Sequence, residues 1–88
     1  MALEGTALDA KTKELVALAI AVATRCDACV AFYAELAVKR GASRAELMET
    51  MGMAIYMGVG PSVMYAAQAV EAFDQFAAEA GAARPAAE

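Results

Sequence analysis

Residues 13–41 read KELVALAIAVATRCDACVAFYAELAVKRG, and this stretch decides the fold. Leu15, Leu18, Ala19, Val22 and Ala23 recur at helical spacing, Val16 and Ile20 widen the apolar stripe, and Asp9 ahead of them suits an N-cap. The spacing predicts a first helix ending near Arg25. Beyond the cysteines, Val30, Phe32, Tyr33, Leu36 and Ala37 repeat the apolar pattern, with Glu35, Lys39 and Arg40 opposite. Gly41, after two basic residues that suit a helix C-terminus, stops this second helix. Two helices joined this closely form a hairpin with Cys26 and Cys29 at its bend.

Downstream, Ser43-Arg44-Ala45-Glu46 has the capping-box spacing that opens a helix. That helix carries Leu47, Met48, Met51, Ile55 and Met57 and meets Gly58 and Gly60. Pro61 then suits the first turn of a fourth helix, where its missing N–H is no loss, with Val63, Val70, Phe73 and Ala77 on one face. No alternating strand pattern occurs. The expected architecture is one all-α domain over residues 1–88, a small bundle of about four helices ordered over about 9–78 with a frayed tail over 79–88.

Of the 88 residues, 61% are apolar and 20% charged. Typical domains hold about 45–50% and about 25%, and a chain this small hides only about 60–65% of its unfolded surface. Homo-oligomer formation is the expectation, tempered by the share of the excess that is alanine. Met48, Met51, Met53, Met57 and Met64, at helical spacings, read as core filling or subunit interface rather than a soft-metal site. The net charge of −4, with no cluster of basic residues interleaved with aromatics, argues against nucleic acid. The uncharged run 51–70 has the length of a membrane span, but glycines and a proline cut it and its flanks are acidic, so two buried soluble helices fit better. The opening residues lack the pattern of a secretory leader, and the expected location is the cytoplasm.

Cys26 and Cys29 are the only cysteines of the chain. Two intervening residues let a dithiol close into a disulfide and reopen, and a helix start beside them favours a thiolate. The spacing reads as redox chemistry. A permanent disulfide is the reading for an oxidising compartment, and half of a zinc site is the other alternative. With no histidine and no second cysteine pair, a closed zinc site needs ligands from another subunit, so no metal and no bound cofactor are expected.

With a helical rise of about 1.5 Å, Glu14 lies roughly 16 Å back from the bend, Cys29 about 3 Å and Tyr33 roughly 9 Å into the second helix. Glu14 is too distant for easy contact with Cys29. Tyr33, one turn beyond Cys29 on the same face, is the natural intermediary. Taken alone, Glu14 also reads as a solvated or salt-bridged residue of the first turns.

Glu14, eleven residues, Cys26, two residues, Cys29, three residues and a proton-handling position together resemble the signature of the AhpD-like alkylhydroperoxidases within the carboxymuconolactone decarboxylase family. Residues 13–23, Gly41-Ala42-Ser43-Arg44-Ala45-Glu46 and Met57-Gly58-Val59-Gly60-Pro61 are similar too, so the likeness covers about residues 9–76. The resemblance implies an all-helical subunit assembling into trimers or hexamers. It also implies a relay in which Glu14 is the carboxylate, Cys29 the activated thiol and Cys26 its disulfide partner. Position 33 departs from the pattern, holding Tyr33 where relatives carry histidine, and Gln68 stands where relatives often have another. A phenol, ordinarily titrating near pH 10, is a poor base but a competent hydrogen-bond donor.

The function these features imply is a thiol-dependent peroxidase, alkylhydroperoxidase-like, or a dithiol/disulfide oxidoreductase. Its substrate would be a peroxide or small-molecule disulfide, and an external dithiol or protein would reduce it. A non-enzymatic oligomeric redox sensor is the alternative from another class. A carboxymuconolactone decarboxylase-like enzyme is disfavoured, because that branch resembles this chain in fold but relies on histidine and lacks the cysteine pair.

Overall fold

A computed structural model describes residues 4–58, 60 and 62–83. Four helices follow one another: α1 (Ala10–Ala23), α2 (Asp27–Lys39), α3 (Arg44–Gly58) and α4 (Ser62–Ala83), with no strand among the described residues. The chain is thus the all-α bundle its periodicity predicts.

The starts of α1 and α3 have identifiable causes. The Asp9 carboxylate accepts the Thr12 N–H at 2.7 Å, satisfying one of the free donors of α1. The capping box at α3 is complete: Glu46 N–H donates to Ser43 Oγ at 3.0 Å, and Ser43 N–H donates to Glu46 Oε1 at 2.8 Å. Glu46 also pairs with Lys11 at 2.8 Å, tying the start of α1 to the start of α3. Lys11 first, then the Ser43 N–H, holds the Glu46 carboxyl below its ordinary value. The stabilisation from a lowered carboxyl is present above the ordinary glutamate value and is lost as pH falls through the lowered one. Accordingly, Glu46→Gln is expected to flatten the acid limb of a urea-stability profile recorded below about pH 4.5. A wild-type profile that the substitution leaves unchanged contradicts this.

Helix α1 ends two residues earlier than its spacing predicts, at Ala23, because the chain turns left-handed at Arg25 (φ 59°). At the other end of the chain, α4 continues to Ala83 where a frayed tail was expected from Glu79; residues 84–88 lie outside the described ones. The expectation that Pro61 opens α4 also falls outside them. At the α3–α4 turn a Cβ on Gly58 would overlap the Ser62 hydroxyl and stand 3.1 Å from the Ser62 Cβ and 3.3 Å from the Ala23 Cβ, so a side chain there requires Ser62 to move.

The core is built from Leu15, Leu18 and Val22 of α1, Val30 and Ala34 of α2, Leu47 and Met51 of α3, and Ala66, Ala69 and Phe73 of α4. Helix α2 packs on α1 and α4, and α1 also packs on α3. Arg44 and Asp74 join α3 to α4 through two hydrogen bonds of 3.1 and 3.3 Å. Alanines fill six of the thirteen core positions, and several buried stripes differ from those expected of the larger residues. On α4 the buried face is 62, 66, 69 and 73, leaving Val63 52% exposed; on α3, Met48 and Met57 are exposed while Ala54 is buried. Of the five methionines considered above, Met51 is core and the other four face outward.

Candidate functional site

The dithiol sits where α1 gives way to α2. Arg25 N–H donates to the Val22 carbonyl at 3.2 Å and Cys26 N–H to the Ala21 carbonyl at 3.0 Å, a double closure that reverses the chain within three residues. Cys26 is thereby the N-cap of α2, and its sulfur accepts the Cys29 N–H at 3.3 Å. Cys29 lies in the first turn, with its Cα 5.2 Å from that of Cys26, and the two sulfurs are joined in a disulfide. Both residues are half-buried. A sulfur at this position faces the partial positive charge of a helix N-terminus, which favours its thiolate once the bond is reduced.

The antiparallel hairpin places the other expected site residues along the same groove. Glu14 is 4% exposed, so the solvated reading of this residue does not hold. It is salt-bridged instead: Arg40 Nε lies 3.9 Å from Glu14 Oε2. Tyr33 is half-buried, its ring edge-on to Phe32 with centroids 5.0 Å apart. Glu14 and Tyr33 line one cavity of about 570 Å³, walled mainly by Leu8, Val16, Ala17, Ile20, Phe32 and Leu36. Cys29 and Tyr33 line a neighbouring one of about 250 Å³. Ala17, Ile20 and Tyr33 are common to both, so the two adjoin along the α1–α2 groove, Glu14 lining the larger and Cys29 the smaller. Gln68 lines neither cavity and is exposed on α4.

Arg40 is the site residue that sequence reasoning missed. The signal was available, since Glu14 precedes Cys26 by twelve residues and Arg40 follows it by fourteen. An antiparallel hairpin brings positions nearly equidistant from its bend side by side. No group of three or more His, Cys, Asp or Glu side chains among the described residues is arranged to hold a metal ion.

A small all-helical protein with a Cys-x-x-Cys disulfide at a helix start is the class that fold and site define. The model of the carboxymuconolactone decarboxylase family matches residues 1–72, and the chain belongs to that family. An AhpD-like branch, expected from the residues, is consistent with this. The chain is 45% identical over 67 residues to an uncharacterised protein of Cupriavidus necator, covering 76% of this chain and 59% of that protein. With an uncharacterised protein of Haemophilus influenzae the identity is 50% over 72 residues, covering 82% and 64%. The chain thus spans about three fifths of the length of the curated relatives it matches. Among solved structures, the apo form of a carboxymuconolactone decarboxylase family protein from Legionella pneumophila superposes with a TM-score of 0.83 at 56% identity, covering 86% of this chain and 68% of that one.

Proposed function

We propose that this protein is a thiol-dependent peroxidase or dithiol/disulfide oxidoreductase of the AhpD-like type, working in the cytoplasm. The observation that carries the proposal is Tyr33, which borders the cavity of Glu14 and the cavity of Cys29 at once. In the reduced protein the Cys29 thiolate attacks the terminal oxygen of a hydroperoxide. The O–O bond breaks, the sulfur becomes a sulfenic acid, and the alkoxide leaves as an alcohol after taking one proton. Cys26 then attacks the sulfenic sulfur, expelling water and forming the disulfide seen here. An external dithiol restores both thiols by exchange and is itself oxidised. Tyr33 donates a hydrogen bond to the thiolate or the peroxide, and Glu14 anchors the far end of the groove. The test is mass-spectrometric thiol counting before and after a small peroxide pulse, with and without a dithiol reductant. Repeated consumption of peroxide in the presence of reductant supports the enzyme. One oxidation per chain with no turnover supports the redox-sensor reading, which the absence of any histidine base favours.

Assembly into a homo-oligomer through α3 and α4 belongs to the same proposal. Met53, Tyr56, Met57, Val63 and Met64 are each more than half exposed on these two helices, a large apolar area for one subunit to leave in water. No helix among the described residues is long and apolar enough to cross a membrane, so a bilayer-spanning role does not account for that surface. Light scattering at micromolar concentration is expected to give the mass of several subunits, three or six if the family's habit holds. A folded 9.1 kDa monomer under those conditions rules the assembly out.

A further inference from the structure

Helices α1 and α2 end in the same double closure, and the comparison isolates one residue. After α2, Gly41 N–H bonds the Val38 carbonyl and Ala42 N–H the Ala37 carbonyl, both at 3.0 Å, with Gly41 left-handed at φ 84°. After α1, Arg25 and Cys26 repeat those bonds, but the left-handed position holds Arg25, the only non-glycine residue with positive φ among the described residues. A side chain is strained in this conformation and glycine is not. The side chain at position 25 therefore stands against the local backbone preference, which the chain satisfies with glycine in the equivalent turn.

The charge state of its surroundings supplies a reason. Lys11 pairs with Glu46, Lys39 with Glu35, Arg40 with Glu14 and Arg44 with Asp74, while Lys13 donates to the Gly5 carbonyl. Among the described residues Arg25 is exposed and is the one cation with neither an ion pair nor a side-chain hydrogen bond. It precedes Cys26 directly, in a chain of net charge −4 that otherwise repels anions. Asp27, also exposed, is the opposing charge beside the thiols.

We propose that Arg25 is a specificity-determining residue that draws carboxylate-bearing small disulfides and thiols to the dithiol; this rests on the redox reading of the Cys26–Cys29 pair given above. In the step it favours, a thiolate of the reduced pair attacks one sulfur of the incoming disulfide, whose S–S bond breaks. One small thiolate leaves, and a mixed disulfide forms. The second cysteine, having given up its proton to solvent, attacks the protein-side sulfur and releases the second thiolate. The protein loses two electrons and the small disulfide gains them. The guanidinium pairs with the carboxylate of the incoming molecule during encounter and exchange.

The experiment measures oxidation of the fully reduced chain by three aliphatic disulfides of different charge: dithiodiglycolate (anionic), 2-hydroxyethyl disulfide (neutral) and cystamine (cationic). Quenched samples are scored by thiol counting. Arg25→Gln is expected to slow dithiodiglycolate about threefold to fivefold relative to the neutral disulfide, the range of an exposed charge contact, and to leave cystamine unchanged or faster. Arg25→Lys should retain most of the wild-type preference, Asp27→Asn should strengthen it, and about 1 M salt should erase it. Arg25→Gly should lose the preference like the glutamine variant yet melt at a higher temperature than it, because glycine relieves the left-handed strain. Equal slowing of all three disulfides, or no change in any, overturns the role of Arg25 alone. Wild-type protein that reacts with none of the three overturns the redox reading itself and this proposal with it.

Discussion

Cys29→Ser is expected to abolish peroxide turnover, by more than about 10³-fold, and to leave no sulfenic acid on the protein after a peroxide pulse. Cys26→Ser is expected to remain sulfenylated at Cys29 while losing the disulfide, and with it the cycle. The asymmetry follows from position. Both sulfurs sit at the start of α2, but Cys29 borders the cavity it shares with Tyr33, whereas Cys26 holds the N-cap and takes the Cys29 N–H. As the N-cap, the Cys26 sulfur faces the helix N-terminus, a position that suits a group to be displaced when the disulfide is reduced. Attack on a peroxide needs in addition a donor for the departing oxygen, and Tyr33, which lines the cavity of Cys29, is the donor proposed for it. Sulfenylation confined to Cys26 reverses the assignment and makes the N-cap, rather than the groove, the activating feature. Labelling each variant with a sulfenic-acid probe and locating the label by mass spectrometry decides it.

Tyr33→His is expected to raise peroxide turnover about tenfold, equivalent to about 1.4 kcal/mol off the barrier. Imidazole ordinarily titrates near 6.5, so at neutral pH it can take the proton of Cys29 and return it to the leaving oxygen, which a phenol does poorly. Position 33 lines both cavities, so a ring there borders the one of Glu14 and the one of Cys29. Adding Glu14→Gln should remove the gain, since the carboxylate that orients the ring and stabilises its protonated form is gone. Arg40 enters this experiment as a competitor for the same carboxylate, at 3.9 Å. Tyr33→Phe separates the remaining roles: a drop in activity shows that the phenol donates a needed hydrogen bond, and no change shows that the ring only packs against Phe32. Flat turnover in a folded, assembled Tyr33→His protein removes position 33 from the mechanism.

The helices were legible because their punctuation is local. Asp9 and the Ser43/Glu46 box each act on donors within three residues, and the glycine at 41 acts on its own φ. The end of α1 was less so, since Arg25 carries no sequence signal for a left-handed turn, and the spacing predicts a helix running two residues past its end at Ala23. The buried faces were the weakest part. Periodicity weights the large residues, yet in this bundle alanines fill much of the core, and Val63, Phe32 and Met57 are left outside. For the site, spacing predicts Tyr33 as the intermediary between Glu14 and Cys29; in the structure Tyr33 shares one cavity with Glu14 and a neighbouring one with Cys29, and its role is part of the proposal. What spacing could not give was the burial of Glu14 and its pairing with Arg40, both of which depend on how the hairpin closes.

The bond between Cys26 and Cys29 spans a sequence separation of three. A cross-link over so small a ring removes little freedom from the unfolded chain, about 2 kcal/mol by the loop-entropy relation, against roughly 4.7 for a ring of 100 residues. It also joins two positions within a single helix terminus, so no pair of helices depends on it for their contact. Under the redox function proposed above, the pair would store and discharge two electrons at one corner while the architecture that presents them stays put. In an assembly of several subunits this makes each dithiol an independent cell, charged and emptied without a mechanical signal to its neighbours.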